Sequence, residues 1–234
     1  MEPKVQQRNV KMTDGVDLWM SPSLVSRPKA VMVIVHGLCE HSGRYDYVVS
    51  KLNSFGYSVY RFDNCGHGRS GGERGYVEDY QLYVDDADQI VSIARKENDG
   101  IPIIMLGHSM GGFIAAHYGV KYPNRLLGQV LSGAAVIIAP MLKDLETTLD
   151  YNATPRSPIP NTLMNLVSRD QQVVKAYTED TLVLKEFTTK LLGEALLKGA
   201  RHIMDRASSY QYPLPDPPWR RRPDRHSGCF TILL

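Results

Sequence analysis

The sequence has few cysteines, little net charge and no long apolar run, and each shortage excludes a class of protein. No apolar stretch in the 234 residues approaches the roughly 18 that a membrane-spanning helix needs. The three cysteines, Cys39, Cys65 and Cys229, are far apart and form no C-x-x-C, which argues against a disulfide framework or a zinc site. A reducing cytoplasm is the expected home. The formal net charge is only +2, too small to imply a nucleic-acid partner. That excess lies wholly after residue 215, where Arg220, Arg221, Arg222 and Arg225 outnumber Asp216 and Asp224. A solvated tail accounts for this run better than a binding patch. Gly 19 and Pro 14 are near ordinary usage, which excludes collagen-like and low-complexity chains. The opening M-E-P-K-V-Q-Q-R-N-V has no apolar core, so no signal peptide is expected.

What is present reads as a folded globular chain of one or two domains, with 43% hydrophobic and 22% charged residues. Residues 5–21 form two extended stretches around Asp14-Gly15, a hairpin turn signal. A-V-M-V-I-V (30–35) is apolar throughout, the mark of a parallel strand buried on both faces. Strands of the same kind are expected at 57–62, 101–106 and 126–131, with helices at 45–54, 80–96 and 111–118 between them. This alternation predicts a doubly wound α/β sheet. After Ala139 the pattern changes. Residues 140–205 carry Pro155, Pro158 and Pro160 in loops and an amphipathic stretch over 183–198, with no convincing buried strand. They are expected to form a helical lid and a return helix. The domain expectation is therefore a core over 1–139, the lid and return helix over 140–205, and an aberrant tail over 206–234. The tail opens on Tyr210-Gln-Tyr, like the entry to a strand, but the prolines after it cannot sit in a central strand.

The chemistry concentrates at G-H-S-M-G (107–111), a G-x-S-x-G between the strand I-P-I-I-M-L and the helix F-I-A-A-H-Y. In that context the serine sits on a sharp strand-to-helix turn that exposes its Oγ, and the flanking glycines avoid clashes. The helix N-terminus behind it favours negative charge. His36-Gly37-Leu38 closes the first buried strand, where a backbone N–H can turn toward the nucleophile. The N–H groups of Leu38 and Met110 are then the candidate oxyanion donors. His36 and His108 read as structural parts of these motifs, and His117 as packed. The glycine-rich loop around His67 lacks the G-x-x-x-x-G-K-[ST] pattern, so nucleotide binding is not expected. No metal and no cofactor is expected.

The blocks H-G-L-C-E-H-S-G-R-Y (36–45), D-N-C-G-H-G-R-S-G-G (63–72) and G-H-S-M-G-G (107–112), with the phrase S-R-D-Q-Q-V-V-K-A-Y-T-E-D (168–180), resemble the monoacylglycerol lipase and lysophospholipase branch of the α/β-hydrolases. The resemblance covers residues 10 to about 214. It implies the α/β-hydrolase fold, Ser109 as nucleophile, Leu38 and Met110 as the oxyanion hole, and Glu40 and Arg44 near the glycerol leaving group. It implies hydrolysis of an acyl ester of a single-chain glycerolipid, with peripheral membrane contact through the lid. The lid residues Leu163, Met164, Leu166, Val173 and Val174 would line an acyl channel or pack on the sheet. One departure is Cys65, where the family usually has arginine, which puts the rigidity of that loop in question.

In this fold the acid and the histidine follow the serine in chain order. The resemblance puts the acid in a phrase like H-G-x-x-D after the next strand, and the sequence holds no such phrase. His202 and His226 are the only histidines after Ser109 outside its own helix. The competing reading is therefore a non-catalytic remnant or binding protein that keeps the pocket. The expected cause is a shifted reading frame near residue 215 that replaced the last two strands. Pro215 to Asp224, back-translated and read one base later, permits L-I-L-H-G-G-A-D-R-I. Sequencing the coding nucleotides should reveal, in that frame, a strand, an H-G-x-x-D and a later histidine. Absence of all three contradicts the shift.

Overall fold

The computed structural model describes residues 3–212. The strands are β1 (Lys4–Val5), β2 (Arg8–Lys11), β3 (Asp17–Met20), β4 (Ser23–Leu24), β5 (Ala30–Val35), β6 (Tyr57–Phe62), β7 (Ile103–His108) and β8 (Gly128–Ser132). They build one mixed sheet with the path β1-β4-β6-β5-β7-β8, and β2 pairs with β3, which joins β6. The centre is parallel: β5 lies between β6 and β7, and β8 follows β7. The hairpin around Asp14-Gly15 is present, with Arg8 opposite Met20 and Lys11 opposite Asp17.

Helices cover both faces, as a doubly wound sheet requires. All six residues of β5 are buried, which is why its sequence is an unbroken apolar run rather than an alternating one. On one face α1 (Asp46–Ser54) sets Val49 against Met32, Ile34 and Val59. On the other, α2 (Gln81–Glu97) and α3 (Met110–Lys121) bury Tyr83, Val84, Ala87, Ile90, Phe113 and Ile114 in the main core. Helix α3 is buried on nearly every side, so its sequence carries little amphipathic pattern.

Beyond β8 the chain runs through α4 (Leu145–Thr148), β9 (Pro158–Pro160), α5 (Gln171–Glu179), β10 (Glu186–Thr188) and α6 (Thr189–Leu191). A π-helical stretch over Leu192–Gly199 then leads into α7 (Ala200–Asp205). Two expectations are corrected here. Residues 158–160 form a strand rather than a loop, paired antiparallel with β10. Its prolines are tolerated because the two-stranded ribbon needs ladder donors on one side only. The helix expected over 183–198 begins at Thr189, because Thr188 is extended and caps it. The Thr188 hydroxyl accepts from Leu191 N at 3.2 Å and donates to Gly75 O at 2.8 Å, and Thr188 N also reaches Gly75 O at 2.9 Å.

Residues 210–212 are irregular rather than the start of a strand, and they pack beside β8. Leu126 N donates to Tyr212 Oη at 3.1 Å and Tyr210 Oη donates to Gln129 Oε1 at 2.6 Å. The proposed frame shift, the arginine run, Cys229 and His226 lie outside the described residues. Among the described residues no helix is long and apolar enough to cross a membrane.

Thr188→Val keeps the buried shape but removes the cap and the tie to Gly75. It should lower stability by about 1–2 kcal/mol, read as a shift in urea midpoint. An unchanged midpoint contradicts the capping role.

Candidate active site

Strand β7 delivers the chain to Ser109 and α3 carries it away, and the turn between them is strained. Ser109 has φ 52° and ψ −117°, a conformation that costs a non-glycine residue of order 1–3 kcal/mol. Three backbone hydrogen bonds hold it there: Ser109 N to Ser132 O at 2.9 Å, and Phe113 N and Ala135 N to Ser109 O at 3.1 Å each. The glycines of the motif are required by contact. A Cβ on Gly111 would overlap the carbonyl oxygens of Val35 and His36, and one on Gly107 would overlap Gly111.

The loop after β5 lies against this turn. A Cβ on Gly37 would sit 3.2 Å from Ser109 Cβ, so the His36-Gly37-Leu38 backbone passes directly beside the serine. Met110 is the first residue of α3, and helix geometry leaves its N–H without an intrahelical acceptor. The candidate donors Leu38 and Met110 thus stand on two loops that converge at Ser109. The loop also contains Cys39, buried and at φ 63°, and burial pushes its thiol up to about 12.

A network beneath the loop fixes its path. His36 is fully buried; its Nδ1 donates to Gly37 O at 2.8 Å and its Nε2 accepts from Asn64 N at 2.8 Å. Burial lowers its pKa, so the ring is a neutral strut. Asp63 accepts from Ser42 N and Arg69 N at 2.7 Å each. Burial pushes that carboxyl up, but its surroundings, these two donors among them, outweigh burial and hold it below its ordinary value. His67 is buried and held near 3 chiefly by burial, packed between His36 and Tyr83.

Leu38, Glu40 and Arg44 line one cavity of about 170 Å³ with His108, Leu163 and Tyr177. Glu40 is committed within its own loop: it accepts from Gly37 N at 2.6 Å and from Tyr45 Oη at 2.7 Å. Arg44 lies 4.5 Å from the centre of the Tyr177 ring and 3.8 Å from Glu40. A larger cavity of about 430 Å³, between α1, β4 and β1, is lined by Ser23, Asn53 and Arg61 and includes none of these residues.

The profile of the family described as serine aminopeptidase, S33 (Hydrolase_4), matches residues 26–215. The chain belongs to this family of α/β-hydrolases. It is 38% identical over 191 residues to a monoacylglycerol lipase of Mycolicibacterium smegmatis, covering 80% of this chain and 68% of that protein. It is 33% identical over 180 residues to the monoglyceride lipase of Mus musculus, covering 75% of this chain and 59% of that protein. Among solved structures, the monoacylglycerol lipase of Paleococcus ferrophilus superposes with a TM-score of 0.72 at 31% identity, over 84% of this chain and 75% of that one.

Within this α/β-hydrolase, every described histidine is engaged away from the serine. His41 donates from Nε2 to Asp180 at 2.8 Å and accepts Gly43 N on Nδ1 at 3.2 Å. His108 pairs with Ser132 O, His117 with Gly199 O and His202 with Tyr80 Oη. Among the described residues no hydrogen bond reaches Ser109 Oγ, and no group of three His, Cys, Asp or Glu side chains is placed to hold a metal. The His41–Asp180 pair spans 139 residues and was not read from the sequence. Together with Leu184 N on Cys39 O at 2.9 Å, it fastens the loop after β5 to residues 180–184. Of the five apolar residues expected to line an acyl channel or to pack on the sheet, only Leu163 lines this cavity. Leu166 and Val173 are exposed, and Val174 is buried.

Gly111→Ala forces a methyl into the Val35 carbonyl. It should cost about 3 kcal/mol or more, the upper end of overpacking penalties, measured by thermal or urea unfolding. A loss below about 1 kcal/mol contradicts the close approach of α3 to β5.

Proposed function

We propose that this hydrolase cleaves the acyl ester of a monoacylglycerol or lysophospholipid through Ser109. The observation that carries the reading is the strained Ser109 turn with the Gly37 backbone packed beside it. The Ser109 hydroxyl oxygen attacks the ester carbonyl, its proton passes to the departing alcohol oxygen as the ester C–O bond breaks, and the acyl group stays on Ser109. The N–H groups of Leu38 and Met110 hold the oxyanion, and water later releases the fatty acid. The family description names a peptidase, whereas the relatives at 38% and 33% identity are named as lipases of monoacylglycerol. Those names and the joint cavity of Leu38, Arg44 and Leu163 support an ester with an apolar acyl chain. Arg44 offers directed donors to a leaving alcohol, while Glu40 shapes the loop through Gly37 and Tyr45. Residues 140–205 supply the lid and, in their last part, the return helix that packs back on the core through Leu191, Ala195 and Ile203. Met141 and Leu166, 80% and 76% exposed, support peripheral contact with a lipid surface, and the site of action is the cytoplasm.

A second reading, a binding protein that retains the pocket, has one observation in its favour: no described histidine reaches Ser109. Turnover separates the two. The hydrolase reading predicts release of fatty acid from monoacylglycerol that disappears in Ser109→Ala. It also predicts a larger loss with Arg44→Ala on monoacylglycerol than on a simple aryl ester. Saturable monoacylglycerol binding with no turnover, equal in wild type and Ser109→Ala, establishes the second reading instead.

A further inference from the structure

The side of α2 that faces the glycine-rich loop contains an acid the proposed chemistry does not use. Asp86 is 3% exposed, and its Oδ2 has no hydrogen-bond partner among the described residues. One turn earlier on the same helix, Tyr83 Oη reaches Cys65 O at 3.4 Å. Tyr83 and Asp86 therefore lie beneath the loop that begins at Cys65. The charged and titratable neighbours of Asp86 are Asp85 on its own helix, Asp14 in the β2–β3 turn, Cys65 in the loop and Tyr83. None of these is a cation. Arg69, within the loop, lies over the Trp19 ring, and Arg74, just after it, donates to Gly68 O at 3.1 Å and acts on Asp63 and Cys65 rather than on Asp86.

Among the described residues an ionised Asp86 has no counter-charge beside it and no donor to its buried Oδ2, a costly state for a buried charge. The neutral carboxyl is tolerated. The loop above it is the one that steers the oxyanion strand end. Asn64 holds His36, Asp63 holds Ser42 N and Arg69 N, and a Cβ on Gly68 would meet His41 Cβ at 2.8 Å. We propose that Asp86 and Cys65 form a pH-operated support for this loop: protonated Asp86 lets residues 65–72 pack down on α2, and ionised Asp86 loosens them. The thiol at position 65 creates the condition, because a cationic side chain there would neutralise Asp86 at every pH. This inference does not depend on the substrate reading.

Burial, with Asp14 and Asp85 adding to it, raises Asp86 to about 7. A folded pKa above the unfolded value of about 3.9 means that the folded state binds more protons between the two. Stability is then greatest below the unfolded value and falls as pH rises toward 7. Between pH 5 and pH 8 this group alone should lower the folding equilibrium constant about a hundredfold.

Urea unfolding at pH 5 and pH 8 tests the idea on wild type, Asp86→Asn, Cys65→Arg and the double variant. Wild type should lose about a hundredfold more than Asp86→Asn over that interval. Cys65→Arg should flatten the loss when Asp86 is present and give no benefit at pH 8 when it is Asn. Hydrogen exchange corrected for intrinsic rates should show amides 65–72 opening more at pH 8 in wild type only. Equal pH dependence in wild type and Asp86→Asn overturns the proposal. So does a Cys65→Arg effect of the same size in both backgrounds. If Asp86→Asn does not fold, Cys65→Arg alone decides: a flattened pH dependence supports the device and an unchanged one refutes it.

Discussion

Ser109 is held at φ 52° between a strand and a helix, and most of the central sheet can be understood as the frame that keeps it there. The strained turn persists because three backbone hydrogen bonds, from β8, from the first turn of α3 and from Ala135, converge on it. Those bonds need β7 and β8 parallel and in register, with His108 opposite Ser132. They also need α3 to pass so close to β5 that Gly111 has no room for a side chain. A parallel centre buried on both faces by α1, α2 and α3 supplies that rigidity.

The loop after β5 is held by different means. It lacks the regular hydrogen bonding of a strand, and polar struts replace it: His36 to Asn64, Asp63 to Ser42 and Arg69, Glu40 to Gly37 and Tyr45, and His41 to Asp180. Each strut is buried or half-buried, where a satisfied polar network gives rigidity and a broken one is costly. The glycine-rich loop thus braces the backbone that carries the candidate donor Leu38, through Asn64 on His36 and Asp63 on Ser42.

The central strands were legible because burial on both faces writes itself as an unbroken apolar run, as in 30–35. The hairpin was legible from Asp14-Gly15. Residues 183–198 were misread because Val183, Leu184, Phe187 and Leu191 fit a helical spacing equally well. What decides their backbone is the pairing of 186–188 with 158–160 and the anchoring of Thr188 on Gly75, contacts made far along the chain. The π-helical turn at 192–199 shifts side-chain phase without any residue that announces it. At the site, the strand-to-helix turn at Ser109 and the approach of the loop after β5 to it could be read from local motifs. The approach of Arg44 to Tyr177 and of His41 to Asp180 could not, because more than a hundred residues separate each pair. Asp86 did leave a signal: it falls three residues after Tyr83 and four before Ile90, on the apolar side of α2, where a solvated acid would not stand.

The central claim is that the Ser109 turn and its flanking N–H groups make a reactive nucleophile. A fluorophosphonate probe reports this directly, because it mimics the tetrahedral adduct and bonds covalently to an activated serine. Incubated with the folded protein and followed by peptide mass spectrometry, it should modify Ser109, with the modification lost on unfolding the chain and slowed by competing monoacylglycerol. No labelling of Ser109 in the folded protein, or labelling equal in the folded and unfolded chain, contradicts the claim.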